Sequence, residues 1–301
     1  GSFIRGRNVL FEEEEYVINV GPQHPATHGV LRFRVSLEGE IIKKLDVHCG
    51  YIHRGIEKMC EELTYPQTLA LTDRLDYLGA SQNRHALCMC IEKGLGVEVP
   101  ERVQYIRTIM DELQRIDSHL LFFACLCMDM GALTAFFYGF RDREKVLDIL
   151  EQTTGGRLIQ TYNTIGGVQA DIHPDFVRKV KEFIAYMRPV LREYHEIFTG
   201  NVIAQERLKG TGVLTREDAI SFGATGGTGR AAGWACDVRK RHPYAVYGKV
   251  DFEEVLFTEG DCLARYMVRM REIEQSMNII EQLIDNIPEG EYQLKMKPVI
   301  R

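Results

Sequence analysis

From Glu101 to Met128 the chain carries Ile106, Met110, Leu113, Ile116, Leu120, Phe123 and Cys127 at three- and four-residue steps. That spacing predicts one long α-helix of about eight turns at 3.6 residues per turn, with an apolar stripe along its whole length. Such a stripe has to be covered, and the rest of the chain supplies the cover. Cys262 to Ile287 repeats the pattern with Leu263, Met267, Met270, Ile273, Met277, Ile280, Ile284 and Ile287. Pro174 to Phe198 repeats it with Phe176, Val180, Phe183, Met187, Leu191, Tyr194 and Phe198, and Pro189 inside it predicts a kink. Pro66 to Lys93 reads as a further long helix, with Pro66 in its first turn and Gly94 and Gly96 ending it. Arg143 to Gln152 reads as a short helix, and Thr215-Arg216-Glu217-Asp218 is a capping pattern that opens another. Before all of these comes alternation of period two: Leu31, Phe33, Val35 and Leu37, a turn at Glu38-Gly39, and a second strand from Ile41 to Val47. The expected class is mainly α with a small N-terminal β-rich segment, an α+β arrangement. The expected divisions are 1–15, a tag scar (Gly1-Ser2) and extension; 16–50, the hairpin segment; 51–290, the helical core; and 291–301, a tail.

Composition narrows the functional classes. A net charge of −6 argues against a nucleic-acid binder, and Arg239-Lys240-Arg241 is short enough to read as a solvated or partner-facing patch. The longest apolar run, Leu120 to Met128, stops at Asp129, well short of the roughly 18 to 20 residues that span a bilayer. Glu12 to Glu15 places acid where a secretory signal carries positive charge. Eight cysteines form no CxxC; Cys88-Met89-Cys90 and Cys125-Leu126-Cys127 lie in apolar helical stretches, where thiols act as small core residues in a reducing compartment.

Folding alone explains least about Asn19-Val20-Gly21-Pro22-Gln23-His24-Pro25-Ala26-Thr27-His28-Gly29. Its two prolines exclude a helix and make a stiff loop that aims His24 and His28. A His-x-x-x-His pair is read generically as a metal site, and equally as a loop that packs. The glycine-rich Phe222 to Arg230 lacks the Gly-Lys-Ser/Thr of a phosphate loop and the strand context of a dinucleotide turn, so close backbone packing explains it better. Asp73, Asp76 and Tyr77, placed within the first long helix, would share a face beside Arg74, as an ion-pair network or as a site. Asp129 closes an apolar helix and needs a partner, a role that a loop histidine would fill.

Taken together, Gly21 to Gly29, His53-Arg54-Gly55-Ile56-Glu57-Lys58, Asp73-Arg74-Leu75-Asp76-Tyr77, Asp129-Met130-Gly131-Ala132-Leu133-Thr134, Gly166-Gly167-Val168 and Asp237-Val238-Arg239-Lys240 resemble the 49-kDa, or D-type, subunit of respiratory NADH:quinone oxidoreductase (complex I). The resemblance runs from Tyr16 to Ile287. It implies a helical bundle like that of the nickel–iron hydrogenase large subunit, packed on a partner, the B-type subunit, that holds the terminal [4Fe-4S] cluster. The C-type and I-type subunits and the membrane-embedded H-type subunit are the other partners implied. The location implied is the cytoplasmic face of the inner membrane, with NADH bound elsewhere in the complex. The quinone, menaquinone or ubiquinone, would sit between this chain and the cluster-bearing partner. His28 and Tyr77 match the residues that hydrogen-bond its headgroup, and Asp129 matches the acid that partners the histidine. His24 lies in the same loop, and Arg54 and Arg74 match arginines near the cluster. Reduction to quinol takes two electrons and two protons, and a histidine and a phenol are suitable proton donors in a buried site.

Some residues depart from the family. Cys49-Gly50-Tyr51-Ile52 keeps one cysteine of the Cys-Gly-x-Cys that resembles half a nickel cage and loses the other, so no metal is expected in this chain. Arg157-Leu158-Ile159 stands where an Arg-Met-His-like string carries a titratable group, and Asn163-Thr164-Ile165 stands where Ile-Arg-Pro is usual. Family members also continue past this length, so Arg301 reads as a truncation. Two other readings stay open: a non-catalytic scaffold that docks the cluster-bearing partner, and a hydrogenase large subunit that would bind nickel.

Overall fold

The computed structural model describes residues 16–24 and 29–295, and divides into two compact units, 1–62 and 63–301. In the first, strands β1 (Tyr16–Val20), β4 (Arg32–Glu38) and β5 (Ile41–His48) form an antiparallel sheet in the order β1-β4-β5. The alternation read from the sequence gives the strand but not alternating burial: Val35 and its neighbour Ser36 are both buried, and Arg32 and Arg34 are half-buried like Phe33 and Leu37. Gly39, at φ +62°, turns β4 into β5, a conformation that costs glycine little. β5 is an edge strand, and Lys43 and Lys44 along it discourage pairing with another chain. Two short strands, β2 (Gln23–His24) and β3 (Gly29–Val30), pair with His24 opposite Gly29. Helix α1 (Ile56–Glu62) ends this unit.

The second unit is built on α4 (Glu101–Asp129). All seven residues of its predicted stripe are fully buried. Helix α5 (Leu133–Thr154) folds back along α4, and Gly139 allows the approach: a Cβ there would lie 2.8 Å from the Ala124 Cβ. Helices α6 (Phe176–Tyr194) and α11 (Cys262–Ile284) complete the bundle, with Phe123 stacked on Tyr194 at a centroid distance of 4.2 Å. Pro189 lies inside α6, which continues into a π-turn at His195–Thr199. Asp261 caps α11 through the Ala264 N–H, and Thr215 caps α8 (Arg216–Ser221) through the Asp218 N–H, as its sequence pattern predicts. Between these helices lie α7 (Val202–Leu208), α9 (Gly226–Ala231), α10 (Val238–Arg241) and a two-strand hairpin, β6 (Asn163–Thr164) and β7 (Gly167–Val168).

Two helix boundaries differ from the sequence reading. The short helix expected at 143–152 begins a full ten residues earlier, because Ala135, Gly139 and Asp142 also face the core. The single helix expected from Pro66 to Lys93 is two, α2 (Tyr65–Thr72) and α3 (Ala80–Leu95), joined by turns at 73–79. The break has a physical cause. Arg84 of α3 places Nη1 3.0 Å from the Leu69 carbonyl in the last turns of α2 and 3.0 Å from the Asp73 carboxylate. An arginine from another helix thus satisfies a carbonyl near the end of α2 and draws the buried Asp73 inward.

Candidate functional site

The break places Arg74, Asp76 and Tyr77 on a connection, so the shared helical face expected for Asp73, Asp76 and Tyr77 does not exist. Asp73 is buried on Arg84; burial raises its pKa and Arg84 works against that rise. Asp76 instead organises the turn: its Oδ1 accepts the Leu78 N–H at 3.0 Å, and its carbonyl accepts from Asn83 at 3.1 Å. Arg74 donates to the Ala70 carbonyl at 2.5 Å. With those groups engaged, Leu75 and Tyr77 point outward, Tyr77 with 51% of its surface exposed. An exposed phenol beside an exposed leucine is an amphipathic contact surface.

Asp129 is the last residue of α4 and is exposed. Met130 caps the helix and Gly131, at φ +81°, turns the chain into α5. Around this corner lies a cleft of about 190 Å³ lined by Met130, Gly131, Ala132, Phe198, Ile203 and Ala204, among others. Leu133 and Phe137, one turn apart on α5, are exposed nearby in sequence, and Ile203, which lines the cleft, is exposed as well. Among the described residues the end of α4 therefore presents a carboxylate near exposed apolar side chains. His24 in β2 and Arg54, exposed between β5 and α1, belong to the first unit. His28 lies outside the described residues.

The reading of α4 from its stripe missed its polar faces, which are also buried. Arg107, Asp111, Glu112, Gln114 and Asp117 are at most 2% exposed. Glu112 receives Arg239 at 3.0 Å, Tyr247 at 2.6 Å and Ser276 at 2.6 Å, with Arg115 at 3.2 Å. Burial alone would raise its pKa; Arg115, Arg239 and the two hydroxyls outweigh burial and hold it down to about 2. Glu272 sits between His119, at 2.8 Å, and Arg230, and these partners likewise overcome burial and depress its pKa. The basic run at 239–241 divides accordingly: Arg239 is buried on Glu112 and Asp237, while Lys240 and Arg241 are exposed. The available signal was that acids and arginines recur among core residues on one helix, which only internal pairing permits.

Residues 129–300 match the family model described as "Respiratory-chain NADH dehydrogenase, 49 Kd subunit". The chain belongs to this 49-kDa subunit family. It is 86% identical over 301 residues to the C/D subunit of NADH-quinone oxidoreductase from Phocaeicola vulgatus, covering all of this chain and 58% of that protein. It is 79% identical over 292 residues to the C/D subunit from Bacteroides thetaiotaomicron, 97% of this chain and 55% of that one. To the D subunit from Geobacillus kaustophilus it is 45% identical over 294 residues, 97% of this chain and 80% of that one. The chain thus spans a little over half the length of its C/D relatives. In this member of the 49-kDa family the matched region opens at Asp129, the corner of the apolar cleft, and takes in Arg230, Arg239 and Glu272 of the buried network.

The glycines of 222–230 divide: Gly223 and Gly226 take left-handed conformations at φ +63° and +71° with open space where a Cβ would lie, and Gly229 permits a close approach. A Cβ on Gly229 would lie 2.5 Å from the Ala224 carbonyl oxygen and 3.1 Å from the Trp234 ring. Among the described residues no group of three or more His, Cys, Asp or Glu side chains could hold a metal ion, and no helix is long and apolar enough to cross a membrane. All eight cysteines are free thiols.

Proposed function

We propose that this chain forms one wall of the quinone headgroup site in a proton-translocating NADH:quinone oxidoreductase, next to a terminal [4Fe-4S] cluster held by the B-type subunit. The observation that carries the reading is the pairing of family membership with the exposure of Tyr77 beside Leu75, and Asp129, next in sequence to Met130 of the apolar cleft, is the acid of the site. A quinone has the matching chemistry, a polar headgroup that accepts hydrogen bonds and a hydrocarbon tail that needs apolar cover. Two electrons arrive from the partner's cluster, and two protons complete the quinol. Tyr77 donates a hydrogen bond, and in the end a proton, to one carbonyl oxygen; His28 serves the other, with Asp129 holding the histidine in its charged form. His24, aimed by the same stiff loop, joins the quinone site, and Arg54 and Arg74 supply positive charge that favours the reduced cluster and quinone. Menaquinone and ubiquinone both satisfy these contacts.

The docking partners on this reading are the B-, C-, I- and H-type subunits, with the whole assembly held at the cytoplasmic face of the inner membrane and NADH oxidised elsewhere in the complex. Asp129→Asn in the intact complex tests the acid: it keeps the side chain's size and removes its charge. The expected result is a fall in quinone reduction of about tenfold or more with electron transfer from NADH to an artificial acceptor unchanged. Unchanged quinone turnover would remove Asp129 from the site and favour a purely structural role for this corner.

A further inference from the structure

A second cleft, of about 360 Å³, opens on the other functional group of this unit, the buried charge network. Arg115, Arg230, Asp237, Val238, Arg239 and Gly226 are among the residues that line it. Its three arginines are not equally occupied. Arg239 spends Nε and Nη2 on Asp237 and Nη1 on Glu112, so its guanidinium is satisfied within the chain. Arg115 contacts Glu112 only through Nε, and among the described residues its Nη1 and Nη2 make no hydrogen bond. Arg230, with its side chain 8% exposed, gives Nε and Nη2 to Glu272 and leaves Nη1 without a partner among the described residues. The carboxylates Glu112 and Glu272 lie behind the arginines, and Asp237, the acid that lines the cleft, is taken up by Arg239. The open face of the cleft therefore offers unfilled guanidinium N–H groups in the planar fork that suits a carboxylate.

The surroundings decide which source of anion fits. Val238 lines the cleft and is exposed, and Ile220 and Phe222, on and just after the helix that packs against α9, are exposed as well. A free oxyanion needs no apolar rim, whereas an acidic segment of a protein uses both the charge and the apolar side chains.

We propose that the Arg115–Arg230 cleft is a docking site for an Asp, Glu or C-terminal carboxylate of a neighbouring subunit in the assembly. This rests on membership of the 49-kDa family and is independent of the quinone reading. Carbodiimide joins an amine to a carboxylate in direct contact, which gives the test. In the intact complex carrying Arg115→Lys, position 115 is expected to couple to a carboxylate of another subunit, identified from the cross-linked peptide by mass spectrometry. Arg230→Lys, at the other arginine of the cleft with an unfilled N–H, is expected to couple to that same neighbour, and this result stands even if Arg115→Lys does not assemble. Coupling of these positions only to acids of this chain, or no coupling, would overturn the proposal. So would release of bound inorganic phosphate from the purified complex on denaturation with position 115 uncoupled, which would assign the cleft to a free oxyanion.

Discussion

Arg239 reaches Glu112 across 127 positions of sequence, its Nη1 lying 3.0 and 3.2 Å from the two carboxylate oxygens. Glu112 comes from the central helix and Arg239 from the short helix α10, so one contact ties the core of the bundle to its irregular later part. Removing Glu112 takes from Arg115 its carboxylate, from Arg239 one of its two, and from the Tyr247 and Ser276 hydroxyls their acceptor, all in the buried core. Glu112→Ala is expected to destabilise the fold by about 3–5 kcal/mol, the range for breaking a buried ion pair. Thermal unfolding of the purified chain measures it. A loss under about 1 kcal/mol would mean that Asp237, which already binds Arg239, is enough to hold its charge.

Two buried acids on α4 are expected to respond to pH in opposite senses. Glu112 is held down at about 2, so its contribution to stability is complete above its unfolded pKa, near 4.3, and fades as pH falls through the folded value. Asp117 is pushed up to about 6 by burial, which Arg143 only partly offsets. Its ionisation therefore opposes folding: that penalty is absent below its unfolded pKa, near 3.9, and complete above about 6. Infrared difference spectra should contain a protonated-carboxyl band that disappears near pH 6 and is missing in Asp117→Asn. A band that titrates near 4 would contradict the assignment.

Neighbouring glycines separate packing from ligand binding. A Cβ on Gly229 meets the Ala224 carbonyl oxygen at 2.5 Å, whereas on Gly227 it meets the end of the Arg269 side chain at 3.3 Å. Backbone cannot yield as a guanidinium can. Gly229→Ala is expected to cost about 1–3 kcal/mol and Gly227→Ala clearly less, read as denaturation midpoints of the two variants. Equal costs would remove the close-approach explanation.

On the proposed function, in which a partner subunit holds the terminal cluster, Ile159, half-buried in the segment after α5, stands where the resemblance places a titratable side chain. With no proton to exchange there, the midpoint potential of the partner's terminal cluster is expected to vary little with pH near neutrality, and Ile159→His is expected to introduce a slope. Redox titration of the intact complex at several pH values checks both. A steep slope in the unsubstituted complex would contradict this.

The bundle was legible because stripes of three- and four-residue period are long and their apolar residues have only one place to go; α4, α6 and α11 follow them closely. The Pro66 to Lys93 segment misled because the local signs of a break, Asp76 accepting the Leu78 N–H and Gly79 at the start of α3, are single residues inside a helical pattern, and Arg84, which holds α2's end, acts through space. The polar faces of α4 were illegible for a related reason. Acids such as Glu112 and Asp117 look solvated until their partners, Arg239 and Arg143, are seen to arrive from distant segments. Tyr77 and Asp129 were found through motif strings, and no periodicity singles them out.

The proposed function stands or falls with Tyr77 and His28 holding the quinone headgroup. Quinone reduction and proton pumping by the intact complex with Tyr77→Phe or His28→Ala, alongside cluster reduction by NADH, measure this directly. The expected outcome is a loss of quinone reduction of about tenfold or more in each variant, with assembly and cluster reduction intact. Normal turnover in both would contradict it and leave these residues as packing elements of a scaffold.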